Sequence, residues 1–309
     1  MSLRILITGA NGQVGWHLQR TLGPLGQVTA LTREQLDLSD LDMVTRVIRE
    51  LQPDILVNAA AYTAVDKAES EPELARTVNA DAPARMAREL ARSRCLLVHY
   101  STDYVFNGEK SGPYEEQDPT APLSVYGRTK LDGEQLIAES GCPYIVLRTS
   151  WVYDIRGKNF LKTVLRLAGE REALRMVDDQ RGAPTWARSI AEATAVILVR
   201  SLEQKQRNAR WSSGVFHLTA AGETSWAGLA QAILEEYDSL RMSVPNPAEL
   251  GPELRANRIV PIKTEEYPTP ARRPRNSVLS NALLKAQFGI ELPHWRAQLR
   301  LAIEDMVRR

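Results

Sequence analysis

The chain has 309 residues, 43% hydrophobic and 25% charged, which excludes wholesale disorder and fits one large globular domain or two coupled ones. Its 39 basic and 38 acidic residues leave a formal charge of +1, unlike the strongly basic surface of a dedicated nucleic-acid binder. No apolar run reaches the ~18–20 residues of a membrane span.

Residues Met1 to Ile7 read as a strand rather than a signal peptide, so a cytoplasmic protein with no membrane or nucleic-acid partner is expected. Leu3–Thr8 is the first predicted strand, Gly12–Leu22 the first helix and Val28–Leu31 the second strand. Asp40–Gln52 carries Leu41, Val44, Val47, Ile48 and Leu51 at helical spacing, and Asp54–Ala60 is a nearly all-apolar strand. A long helix is expected over Glu73–Ser93, with Pro72 at its start; Arg85, Arg88, Arg92 and Arg94 near its end read as a solvated face. Strand Cys95–Ser101, helix Val125–Glu139 and strand Tyr144–Thr149 follow. Beyond Trp151 the pattern changes: helices over Asn159–Gly169, Ala187–Leu202 and Ser225–Leu240, a strand over Val215–Thr219, and prolines clustered from Pro245 to Pro274. Cys95 and Cys142 read as buried free thiols, and His17, His99, His217 and His294 lack metal-ligand spacing.

The alternation predicts an α/β fold: a Rossmann-type doubly wound parallel sheet with a smaller mixed α/β substrate-binding lobe. Glycines at 9, 12 and 15 follow the first strand and open the first helix. Gly9 permits the turn, Gly12 lets a pyrophosphate approach the backbone and Gly15 lets the helix meet the sheet, so a dinucleotide is expected at the helix N-terminus. After the second strand, Leu31-Thr32-Arg33 lacks the carboxylate that reads a free ribose hydroxyl, whereas Arg33 could take a 2′-phosphate. That favours NADPH, or tolerance of NADH as well; a merely solvated Arg33 is the other reading. Asp37 and Leu38 suit an adenine contact, and Ala59-Ala60-Ala61 leaves room for the cofactor.

Tyr126 and Lys130 form a Tyr-x-x-x-Lys pair on one face of a predicted helix. An ammonium beside the phenol would favour the phenolate, and Tyr126 could protonate a ketone oxygen as hydride arrives. Thr102 at a strand end could hold that oxygen. Ser101 competes for the role, because neighbours on a strand face opposite ways.

With these motifs the chain resembles the extended short-chain dehydrogenases/reductases, and among them the dTDP-4-dehydrorhamnose reductase family. The glycine loop, Asn58–Glu69, Ser101–Phe106, Tyr126–Lys130, Arg148–Tyr153, Asp179–Thr185 and Tyr267–Pro274 carry the resemblance over nearly the whole chain. It implies reduction of the C4 ketone of dTDP-4-dehydro-β-L-rhamnose by NADPH or NADH. It implies catalytic roles for Thr102, Tyr126 and Lys130, and cofactor contacts at Gly12, Gln13, Val14, Asp37, Leu38, Ala61, Tyr62, Thr63, Tyr126 and Lys130. Thr102, Asp103 and Trp151 fall at sugar-nucleotide positions, with Trp151 offering a flat apolar face or else serving as a core residue. Arg273 could pair with the diphosphate, or form a surface ion pair. Residues 1–150, with 187–213 returning to them, would form the NADP(H)-binding lobe, and 151–309 mainly the sugar-nucleotide lobe.

Some members of the family form a magnesium-linked dimer through acidic residues. Here His17 stands at one such position, and Trp186-Ala187-Arg188 holds no acid, so no metal is expected, while a homodimer stays open. Another dTDP-4-keto-6-deoxy sugar as substrate stays open too, as does a non-catalytic regulatory subunit like the β subunit of methionine adenosyltransferase.

Overall fold

A computed structural model describes residues 2–93, 95–208, 211–243, 253–256 and 258–307. Arg94 and the start of the proline-rich stretch at Pro245 lie outside the described residues.

Strands β1 (Leu3–Thr8), β2 (Gly26–Leu31), β3 (Ile55–Asn58), β4 (Leu96–Thr102) and β5 (Tyr144–Thr149) alternate with helices α1 (Gln13–Thr21), α2 (Leu41–Leu51), α3 (Val65–Ala68), α4 (Pro72–Arg76), α5 (Ala82–Ala91) and α6 (Val125–Ala138). Next come β6 (Val152–Tyr153), α7 (Phe160–Glu170), β7 (Ala173–Val177), β8 (Arg181–Gly182), β9 (Thr185–Trp186) and α8 (Ala187–Asn208). The chain continues through β10 (Gly214–His217), β11 (Thr224–Ser225), α9 (Trp226–Ser243), β12 (Arg258–Ile262), α10 (Ala282–Phe288) and α11 (Trp295–Val307).

One sheet carries six strands in the order β10-β5-β4-β3-β1-β2, each neighbouring pair parallel. Alternation along the strands builds a core on each face. Ile5, Ile7, Ile55, Val57 and Val98 pack with Leu18 of α1 and Ile190 and Ile197 of α8. Leu6, Leu56, Leu97 and Val146 pack with Val44 and Ile48 of α2, Met86 of α5 and Ile137 of α6. Each such side chain contributes about 1.5–3 kcal/mol on burial. Strand order reverses between β1 and β3, so a crevice opens at their carboxyl ends.

A second core joins α7, α9 and α11 through Val164, Leu229, Ile233, Leu299 and Ile303. Here β7 pairs with β12, β6 with β9 and β8 with β11.

The strand expected over Asp54–Ala60 ends at Asn58, and Ala59 and Ala60 leave the sheet. The long helix expected over Glu73–Ser93 is broken: a π-helical turn, Thr77–Asp81, separates α4 from α5. Pro83 is the cause, since it has no N–H for the Asn79 carbonyl four residues earlier and its ring crowds that carbonyl.

Candidate active site

Gly9 has φ +68°, and a Cβ there would meet the Ala59 carbonyl oxygen at 2.9 Å. A Cβ at Gly15 would lie 2.1 Å from the Gly9 carbonyl oxygen, so glycine alone lets α1 start this close to the loop. Gly12 caps α1 in an extended conformation with no side chain on the first amides, which leaves them facing the crevice. Asn159 ties the far lobe to this turn, its Nδ2 donating to Gln13 Oε1 at 2.9 Å.

The crevice encloses a cavity of about 480 Å³. Its lining includes Gly9, Gly12, Gln13, Val14, Arg33, Asp37, Leu38, Ala59, Ala60, Ala61, Tyr62, Thr63, Tyr126 and Lys130. Gly15 sits behind the loop. Arg33 is largely exposed at the rim, its Nε 3.3 Å from Asp37 Oδ2. The Asp37 carboxyl is held below its usual range by the Ser39 amide, with Ser39 Oγ and Arg33 adding to the effect. Asn79, in the π-helical turn, clasps Tyr62: its Oδ1 accepts from the Tyr62 amide at 2.9 Å and its Nδ2 donates to the Tyr62 carbonyl at 3.1 Å.

Ser124 caps α6, its Oγ accepting from the Gly127 amide at 3.1 Å, and so fixes where Tyr126 and Lys130 point. Tyr126 is half-buried and Lys130 is 1% exposed. Burial pushes the Tyr126 phenol up to about 12, against a lowering by its hydrogen bond with Thr102. The expected pull of Lys130 toward phenolate does not act here: desolvation of the anion dominates, Asp103 adds to it and Thr102 alone opposes it. Burial brings Lys130 down to about 8. Thr102 Oγ1 donates to Asp103 Oδ1 at 2.9 Å, and burial raises the Asp103 carboxyl to about 7. Ser101, not Thr102, lines the cavity, and its buried hydroxyl has no partner among the described residues.

Trp151 lies outside this cavity, in the left-handed region at φ 47°. Its ring stacks on Trp226, so an open flat face is not what it presents; the stacked position follows from Gly182, where a Cβ would collide with the indole at 2.4 Å. Arg273 forks onto Asp66, with Nη2 2.7 Å from Oδ2.

Several lining residues were not singled out by sequence: Asn11, Tyr100, Thr149, Val152 and Lys158 among them. His99 and Asn58 were missed as a pair; they are polar residues in otherwise apolar strands, 3.0 Å apart beneath Lys130. Among the described residues no cluster of three or more His, Cys, Asp or Glu could hold a metal, and no helix is long and apolar enough to cross a membrane.

A doubly wound sheet with a glycine turn after β1 and a Tyr-x-x-x-Lys pair on α6 defines an extended short-chain dehydrogenase/reductase. The RmlD substrate binding domain family matches residues 3–308. The dTDP-4-dehydrorhamnose reductase of Burkholderia thailandensis is 52% identical over 305 residues, covering 99% of both chains, and that of Escherichia coli K12 is 41% identical over 98% of both. A solved dTDP-4-dehydrorhamnose reductase from Bacillus anthracis, in complex with NADP, superposes with a TM-score of 0.85 at 32% identity, covering 99% of this chain and 100% of that one. The chain belongs to the dTDP-4-dehydrorhamnose reductase family and is a reductase.

Proposed function

We propose that the protein reduces the C4 ketone of dTDP-4-dehydro-β-L-rhamnose to give dTDP-L-rhamnose, with NADPH as hydride source and Tyr126 as proton donor. One observation carries this reading: Tyr126 and Lys130 enter the same cavity that the glycine turn opens. That cavity suits the dinucleotide on its own features. The uncapped α1 amides can receive a pyrophosphate, and a Cβ at Gly12 would stand 3.1 Å from the Gly9 carbonyl and crowd the approach. Arg33 at the rim favours the 2′-phosphate of NADPH, though NADH could also enter. Bound there, the nicotinamide supplies the hydride.

The protein's own groups do the rest. Tyr126 keeps its proton at neutral pH, as an acid must, and gives it to the ketone oxygen. Thr102 hydrogen-bonds Tyr126 and donates its own O–H to Asp103, so it orients the donor phenol. Lys130 stands one helical turn behind and orients the cofactor ribose. Trp151, braced by Trp226, would meet the deoxysugar with its edge. We further read residues 1–150 and 187–213 as the cofactor lobe, supported by α8 packing on α1, and the lobe runs on past residue 213, since β10 extends the same sheet. Free Cys95 and Cys142 suit a reducing cytoplasm.

The test is turnover of enzymatically generated dTDP-4-dehydrorhamnose with each cofactor, with NMR of the C4 configuration of the product. Tight NADPH binding without turnover would overturn the reading.

A further inference from the structure

Three adjacent strands carry a polar side chain at one register level. Thr8 of β1 pairs with Asn58 of β3, and Asn58 with His99 of β4. All three are at most 1% exposed, amid Ile, Leu and Val. Asn58 Oδ1 receives the Thr8 hydroxyl at 2.6 Å and the Ala60 amide at 3.3 Å. Asn58 Nδ2 lies 3.0 Å from His99 Nδ1, and His99 Nε2 lies 3.0 Å from Lys130 Nζ. Lys130 Nζ also donates to the Tyr100 carbonyl at 2.6 Å.

Donor and acceptor roles along this row are determined. A backbone amide only donates, so the Ala60 N–H fixes which end of the Asn58 amide is oxygen. Asn58 Nδ2 therefore faces His99 and only donates, which makes Nδ1 the acceptor. A neutral imidazole has one acceptor and one donor nitrogen, so the His99 proton sits on Nε2 and points at Lys130. An ammonium has three donors and no acceptor. Lys130 can keep this contact only by offering a lone pair.

We propose that His99 is a positioning residue for the reduction: its Nε2–H, fixed by Asn58, holds Lys130 as a neutral amine in the cofactor-free site at alkaline pH. That state is reached once the pH passes about 8. Lys130 becomes an ammonium only by giving up that bond; one solvent proton is added at Nζ and no covalent bond breaks. The amine's remaining protons are then aimed at the Tyr100 carbonyl and forward into the site.

The surroundings agree. Burial lowers Lys130 to about 8 despite the opposing charge of Glu134 on the same helix, and Glu134 is already paired with Arg148 of β5 at 2.7 Å. Burial, then the charge Lys130 would carry, holds His99 well below its ordinary value. The other groups at hand are Tyr126 on α6 and Tyr100 and Asp103 from β4 and its end. Burial keeps both phenols neutral and raises the Asp103 carboxyl to about 7, so Asp103 is the one of the three that becomes an anion as the pH passes neutrality.

The consequence for turnover rests on the reductase reading, but the protonation state can be measured without turnover. Long-range ¹H–¹⁵N spectra of the full chain, with His99 assigned by its loss in His99→Gln, should find the Nε2–H tautomer at about pH 9 to pH 10, where Lys130 is the free amine. An Nδ1–H tautomer or an imidazolium would overturn the proposal. Asn58→Asp supplies a carboxylate that accepts from Nδ1–H and turns the tautomer around. It should then let Lys130 stay charged to higher pH, moving the alkaline limb of kcat/KM up by about one pH unit or more. A limb that stays put, with an altered melting temperature only, would reduce His99 to a structural residue. The expected tautomer in an enzyme that turns over no keto sugar would refute the reductase reading while the protonation assignment stands.

Discussion

Trp151 lies face to face with Trp226, ring centroids 3.6 Å apart and planes within 5°. The two residues come from different parts of the second lobe, one after β5 and one opening α9. A stacked pair is worth about 0.5–1.5 kcal/mol beyond its buried area. Trp226→Leu should therefore raise KM for the sugar nucleotide about two- to tenfold through a loosened Trp151, with NADPH binding unchanged. Steady-state kinetics with each substrate varied decides this, and an unaltered sugar KM removes Trp151 from the binding site.

Tyr126→Phe removes a proton and little else. Turnover should fall by about 10²–10⁴, while the dissociation constant for NADPH stays close to the native one. Fluorescence titration and single-turnover rates separate the two effects. Reduction at the native rate would rule out Tyr126 as the donor.

Arg33 is largely exposed and shares its charge with Asp37 at 3.3 Å, so its effect on a 2′-phosphate is moderated. Arg33→Ala should raise KM for NADPH by about tenfold and change that for NADH far less. Equal changes for the two cofactors would leave Arg33 without a phosphate role.

Lys130 makes stability depend on pH in a definite direction. Its ordinary value is 10.5 and its folded value about 8. Between them the unfolded chain holds more protons than the folded one, so stability at this position rises with pH across that window. At ~1.4 kcal/mol per pH unit the change is on the order of 3 kcal/mol. Urea denaturation of the protein and of Lys130→Met, compared from about pH 8 to 10.5, should shift in favour of the lysine by that order. A constant difference between the two would mean that Lys130 titrates at its ordinary value when folded.

The sheet was legible because its strands are apolar and its turns carry glycine, and both signals are local. The glycines at 9, 12 and 15 and the Tyr126–Lys130 spacing needed no tertiary knowledge. The break at Thr77–Asp81 was less visible, since one proline inside a helical pattern signals a disturbance without saying that a π-helical turn absorbs it. The Trp151–Trp226 stack and the Arg273–Asp66 fork join residues far apart in the chain, and no periodicity encodes them. Asn58 and His99 stood in plain view as polar residues in apolar strands. Their meaning appears only once the register sets them side by side.

That register has an evolutionary corollary. Thr8 and Asn58 are 50 positions apart and Asn58 and His99 are 41 apart, yet each satisfies the next in a dry interior. Replacing one alone strands its neighbour at a cost of about 1–3 kcal/mol, whereas replacing all by apolar residues of matching shape can be nearly neutral. A lineage leaving this arrangement must cross that valley through its single mutants. The trio should therefore change together or not at all, as one character written in three distant codons.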